Sequence, residues 1–227
     1  MHRVTLSAAE LSLLATQAGV ALPPGMVLPE PAADPDAWPA TADAVLRRRG
    51  LVDGDDTPVP AVAATLTVLA RPDATVHIEV TLPHQASTAL FAVSGGLAAS
   101  LRQLDDGDLE LALFPAWELG TELAGAVPAP HRADFPDVVP AYASPAGTAG
   151  RRPRPPLPGG AQGSLAATVT SADGTTYGTV EWLATDTGWL GLQSVPGHDG
   201  APGAAVQPPA LTTWLAPALD AALAAAR

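Results

Sequence analysis

The sequence predicts an α+β fold: a pseudo-two-fold antiparallel β-sheet built from two β-meander-plus-helix repeats, with N-terminal and C-terminal helices packed at its sides. Three observations carry this. Residues 75–127 hold four short strand-like runs followed by an amphipathic helix, and residues 165–226 repeat that order. A Pro/Gly-rich stretch, 128–163, separates the two copies. Residues 1–73 hold three segments of helical periodicity, a helical N-terminal part. At 227 residues and 47% hydrophobic, the chain reads as a single domain with a substantial core.

The elements follow in order. Ser7-Ala8-Ala9-Glu10 fits a capping box, and Leu11, Leu14, Ala15 and Ala18 form a helical stripe that ends at Gly19. Pro23, Pro24, Pro29 and Pro31 make an extended connector. A second helix is expected from about Asp36 to Arg49, with Trp38, Ala42, Val45 and Leu46 on one face and Pro39 in its first turn. Arg47, Arg48 and Arg49 offset its dipole. Asp53-Gly54-Asp55-Asp56 is a turn without the ligand ladder of a calcium loop. Val59, Val62, Ala63, Leu66, Leu69 and Ala70 give a third helix, closed by Arg71-Pro72-Asp73.

Strand alternation then begins. Val76, Ile78, Val80 and Leu82 alternate with His77, Glu79 and Thr81, the pattern of a half-buried strand. Further strands are expected at 87–94, 97–104 and 108–113, joined by Ser94-Gly95-Gly96 and Asp105-Asp106-Gly107-Asp108. Connections this short require antiparallel neighbours. Pro115 opens a helix to about Val127. The second copy has strands at 165–171, 176–184, 189–195 and 204–207. Pro208-Pro209 then opens a helix with the stripe Leu211, Trp214, Leu215, Ala218, Leu219, Ala222 and Leu223, which Pro217 is expected to kink or split.

Composition excludes several functions. The chain has no cysteine, so disulfides and thiolate chemistry are out. A net charge of −12 opposes binding to nucleic acid or to anionic membranes. No apolar run is long enough to span a bilayer, and Met1-His2-Arg3 leads into an amphipathic segment without a signal-peptide core, so a cytoplasmic location is expected. The histidines (His2, His77, His84, His131 and His198) show no metal-binding spacing. There is no G-x-S-x-G elbow and no lysine for a phosphate loop. The carboxylate clusters sit in turns. Arg151, Arg152 and Arg154 lie among prolines and read as a solvated linker. The expectation is a non-enzyme without metal or cofactor.

The aromatic residues are more informative. Trp182, Trp189 and Trp214 concentrate in the second copy. Core packing is the simplest account of them. Yet the strands there are apolar on both faces, with Val180, Trp182 and Leu183 on one and Trp189, Leu190 and Leu192 on the next. Such strands need cover on both sides, from helices or from a partner. Trp182, Leu183, Trp189, Leu190 and Leu192 are therefore the candidate partner-binding residues.

The order of elements also resembles a known family. The most specific segments are Thr5-Leu6-Ser7, the helix end Arg47-Arg48-Arg49-Gly50-Leu51-Val52-Asp53, and Leu66-Thr67-Val68-Leu69-Ala70-Arg71-Pro72-Asp73. Together with the two meanders they resemble the EspG family of actinobacteria. That resemblance implies a cytosolic chaperone of type VII (ESX) secretion that binds the apolar helical tip of a PPE-like secretion substrate and keeps it soluble. Two features depart from the family pattern: the chain is on the short side, and Ser94-Gly95-Gly96 is tight where family members carry long loops. The alternative is a small-molecule-binding α+β protein with a pocket between sheet and helices. A closed apolar pocket would favour the alternative, and an open apolar groove at the sheet–helix edge the chaperone. Convergence of His77, His84, Glu79 and Glu181 in a cleft would favour an enzyme.

Overall fold

The computed structural model describes residues 2–22, 38–104, 107–130, 163–192 and 204–226. Met1, Pro23, Pro24, Pro29, Pro31, Asp36, Asp105, Asp106, His131, His198, Arg151, Arg152 and Arg154, named above, lie outside the described residues, as do 193–195 of the strand expected at 189–195.

Strand β1 (His2–Leu6) opens the described chain and is followed by helix α1 (Ala8–Gln17). Both bonds of the expected capping box form: Ser7 Oγ accepts from the Glu10 amide at 3.2 Å, and Glu10 Oε2 accepts from the Ser7 amide at 2.7 Å. Helices α2 (Trp38–Arg48) and α3 (Pro60–Ala70) come next. The first meander is β2 (Ala74–Leu82), β3 (Gln85–Ser94), β4 (Leu97–Gln103) and β5 (Leu109–Pro115). A 3₁₀ turn (Ala116–Glu118) leads into helix α4 (Leu119–Gly125). The second meander is β6 (Gly163–Ser171), β7 (Thr176–Thr185), β8 (Gly188–Leu192) and β9 (Ala204–Val206), followed by helix α5 (Ala210–Ala225).

The nine strands form one antiparallel sheet in the order β1-β5-β4-β3-β2-β6-β7-β8-β9. Leaving β1 aside, the order reads outward from the β2–β6 pair as 3-4-5 on one side and 7-8-9 on the other. β2 and β6 pair along nearly their whole length, from Ala74 opposite Ser171 to Thr81 opposite Ser164. Alternation assigns the two faces. Val76, Ile78, Phe91, Phe114, Leu165, Val169 and Trp182 pack beneath α4 and α5. Leu90, Ala92, Leu101, Leu109 and Leu111 pack beneath α1–α3.

Three differences from the sequence reading have local causes. β1 was not expected: a five-residue edge strand gives too few alternations to register. It is held by its ladder to β5, and Arg3 reaches Glu110 at 2.6 Å and Glu122 at 2.9 Å. The Glu110 hydrogen bond, aided by both carboxylates, raises the Arg3 pKa further. The helix expected over 115–127 is tighter at its start, a 3₁₀ turn before α4. Pro217 does not split α5. Its missing N–H deprives the Thr213 carbonyl of a helical donor, and Thr213 and Pro217 are both exposed, so water can serve that carbonyl.

The arginines at the end of α2 do more than offset its dipole. Arg47 pairs with Asp43 at 2.9 Å and with Asp56. Arg49 pairs with Glu10 at 3.0 Å and donates to the Thr5 carbonyl. It thereby ties α1 and α2 to β1 and occupies an acceptor of that edge strand.

Candidate functional site

The five residues expected to meet a partner separate by face. Trp182 and Trp189 lie beneath α5, 0% and 2% exposed. The Trp182 ring meets Trp214 edge-on at 6.0 Å and Trp189 at 6.4 Å. Trp189 Nε1 donates to the Pro128 carbonyl at 2.9 Å. Leu183 points to the other face and is 2% exposed. These three side chains offer no free surface in the isolated chain, because the two-sided apolar pattern is already covered. Leu190 pairs with Leu183, and Leu192 with Glu181; both leucines are half-buried.

No catalytic constellation forms from the other candidates. His77 and Glu79 are neighbours on β2, with Nδ1–Oε1 at 3.6 Å. Glu181 lies two strands from Glu79, beyond Ala166, or about 10 Å across the sheet. His84 sits in the β2–β3 turn, and none of the four lines either cleft described below. Among the described residues no group of three or more acidic or histidine side chains could hold a metal. Asp53 Oδ1 instead accepts from the Asp55 and Thr57 amides, a turn-stabilising role. Asp173 acts likewise in the β6–β7 turn. Its pKa is lowered, chiefly by the Ser171 hydroxyl at 2.5 Å and then by the Thr175 amide at 3.0 Å.

Among the described residues, two clefts open at the junction of sheet and helices. One, of about 200 Å³, lies between the start of β3, the end of β4 and the end of α4. It is polar: Gln85, Ser87, Thr88 and Gln103 line it, and Arg102 crosses it to donate to the Gly125 carbonyl at 3.0 Å. The other, of about 270 Å³, lies between the start of β7 and α5. Apolar side chains make up most of its wall, Val180, Trp214, Leu215, Pro217, Ala218 and Ala221, with Tyr177, Gly178 and Thr179 completing it.

Local sequence explains this second groove. Trp214, Pro217, Ala218 and Ala221 recur at i, i+3, i+4 and i+7, a second apolar stripe beside the core-facing Leu211, Leu215 and Ala222. On β7 the register slips: Val169 opposes Gly178, but Thr170 opposes Thr176. Tyr177 is the extra residue of that bulge, and a bulge re-aims its side chain; Tyr177 is 36% exposed. Gly178 lets α5 approach, since a Cβ there would lie 2.9 Å from the Ala218 Cβ. Trp214 rests on Gly191, where any Cβ would overlap its ring. Trp214 and Ala218, expected on one apolar stripe with Leu211 and Leu215, do pack against the core and also wall the groove. The clue to a second stripe was the small size of residues 217, 218 and 221.

No helix among the described residues is long and apolar enough to cross a membrane. No curated protein matches the chain. A solved structure does: the chaperone EspG5 of the Mycobacterium tuberculosis type VII secretion system, in complex with the PE25-PPE41 dimer. It superposes with a TM-score of 0.61 over 96% of each chain at 12% sequence identity, a likeness of fold. The EspG family model matches residues 7–220, nearly the whole sequence, and the chain therefore belongs to the EspG family.

Proposed function

We propose that this chain is a cytoplasmic chaperone of a type VII secretion system that holds a PPE-like substrate by its apolar helical tip and acts without covalent chemistry. The observation that carries the reading is the open, apolar groove between β7 and α5, set on an EspG-family fold. The relative EspG5 is found with a PE25-PPE41 dimer, which supports a PPE-like protein as the occupant. A small-molecule carrier would want an enclosed pocket, and both clefts described above are open.

The chain works as one domain over residues 1–227, with its repeats at 75–127 and 165–226 joined by the 128–163 linker. α5 and β7 belong to the second repeat, so the binding function resides there. A groove of about 270 Å³ exceeds the roughly 150 Å³ that admits a benzene ring. It can therefore take a large apolar side chain from the partner. Of the five residues expected to bind, Leu190 and Leu192 are half-buried on the sheet face opposite α5, so they would add a second contact surface and do not wall this groove. Both are reachable without disturbing the tryptophan cluster.

Co-expression with PE–PPE pairs encoded near its gene tests the reading. A stoichiometric complex should elute as one species by size exclusion. Recovery of the chain alone with every such pair would refute it.

A further inference from the structure

We propose that Trp117, with Leu97 beside it, anchors the same partner whose apolar tip fills the groove; this rests on the chaperone reading above. Among the described residues three large apolar side chains stand exposed: Trp117 at 81%, Leu97 at 42% and Tyr177 at 36%. All three lie at one end of the sheet, where β3, β5 and β6 finish and β2, β4 and β7 begin. Tyr177 already walls the groove. Exposed apolar residues scattered singly are ordinary; three at one end beside an apolar groove mark an interaction surface.

Local chemistry holds Trp117 outward. Pro115 restricts the backbone entering the 3₁₀ turn, and the Ala116 amide donates to the Gly96 carbonyl at 2.9 Å. Leu119 faces the core. Trp117 comes two residues earlier and so falls on the opposite side of the turn. Leu97 pairs with Pro115 across the β4–β5 ladder. The same end is tied together by backbone. The Gly95 amide donates to Asp73 Oδ2 at 2.9 Å, and the Asp73 carbonyl accepts from the Ala172 amide at 3.2 Å. These bonds join the hairpin beside Trp117 to the β6–β7 turn that precedes Tyr177. An aromatic side chain on a fixed backbone loses little freedom on binding, which suits it to anchor a partner.

Size selects the occupant. The groove takes one side chain, whereas a stable complex buries about 800 Å² on each partner, a patch about 30 Å across. Leu97 on β4 and Tyr177 on β7 are separated by four strand spacings, about 19 Å. Two packed helices, each about 10 Å wide, span about 20 Å. The tip of one helical partner therefore covers the groove and Trp117 together. Charge narrows its chemistry. The segments that form this end (71–73, 94–97, 115–118 and 171–177) carry Asp73, Glu118 and Asp173 against Arg71. A tip with basic residues beside its apolar ones complements them. A second copy of this chain, at a net charge of −12, would bring like charge to the same surface.

Trp117→Ala, titrated by calorimetry against the PE–PPE pair that co-purifies above, tests the anchor. Kd should rise by about 30-fold, the loss expected for an interface hot spot. Tm should move by less than about 2 °C, because the side chain is exposed. Hydroxyl-radical footprinting of the parent chain, read by mass spectrometry, should show Trp117 and Leu97 oxidised when the chain is alone and protected in the complex. A complex that forms with unchanged Kd for Trp117→Ala, or without protection at Trp117, overturns the anchor and leaves the chaperone reading standing. Protection of Trp117 in the isolated chain, with elution as a dimer, assigns the surface to a second copy and also overturns it. Absence of any complex overturns both.

Discussion

Trp189→Ala separates a core role from a partner-binding role for the tryptophan cluster. Trp189 is 2% exposed, packs against Trp182 and donates to the Pro128 carbonyl. Truncating a buried aromatic to alanine costs about 3–5 kcal/mol, which includes the cavity left behind. The lost Nε1–H bond contributes about 1 kcal/mol of that, and leaves the carbonyl to find water. For a domain of this size each kcal/mol lowers Tm by about 2–4 °C, so the expected drop is about 6–20 °C. Trp189→Phe keeps a ring in the site but removes the donor, and should cost about 1–2 kcal/mol. Far-UV circular dichroism melts report the change without relying on tryptophan emission. A Trp189→Ala chain that melts within about 2 °C of the parent yet loses its partner would refute the burial argument and return Trp189 to the binding surface.

Other outcomes follow from the same geometry. Ser7→Ala removes one arm of the capping box and should cost about 1 kcal/mol in urea unfolding, with no effect on the partner. Gly191→Ala forces the Trp214 ring off β8; it should lower stability by about 1–3 kcal/mol and also weaken partner binding, because Trp214 walls the groove. The Asp173 carboxylate should titrate below the usual carboxylate range by NMR, and Ser171→Ala should move its midpoint back up. A carboxylate with a depressed folded pKa contributes stability above its unfolded value and loses it as pH falls through the folded one. That contribution should therefore fade as pH falls below the usual carboxylate range.

Period and punctuation made most of the fold legible. The strict alternation of β2, the Gly95-Gly96 turn and the capped α1 each involve side chains whose local chemistry agrees with their tertiary place. β1 was hidden because its stability comes from a ladder to a strand more than a hundred residues away. The candidate site was harder to see for a related reason. A tryptophan on a strand carries no mark of which helix covers it, so Trp182 and Trp189 looked as available as Leu190. The groove depends on a bulge, a glycine and two alanines, residues whose function lies in what they leave open. Only the sheet register and the placement of α5 bring Tyr177 and Ala221 to one cleft.

Ala221→Glu tests the central claim most directly. Ala221 is an exposed helical residue on the groove wall, and such a substitution should leave stability within about 0.5 kcal/mol. A carboxylate there must be desolvated by any apolar occupant. By calorimetry against the co-purified PE–PPE pair, Kd should rise by about 30-fold or more, the scale of a 2 kcal/mol contact. An unchanged Kd for a folded Ala221→Glu chain would contradict the placement of the partner between β7 and α5.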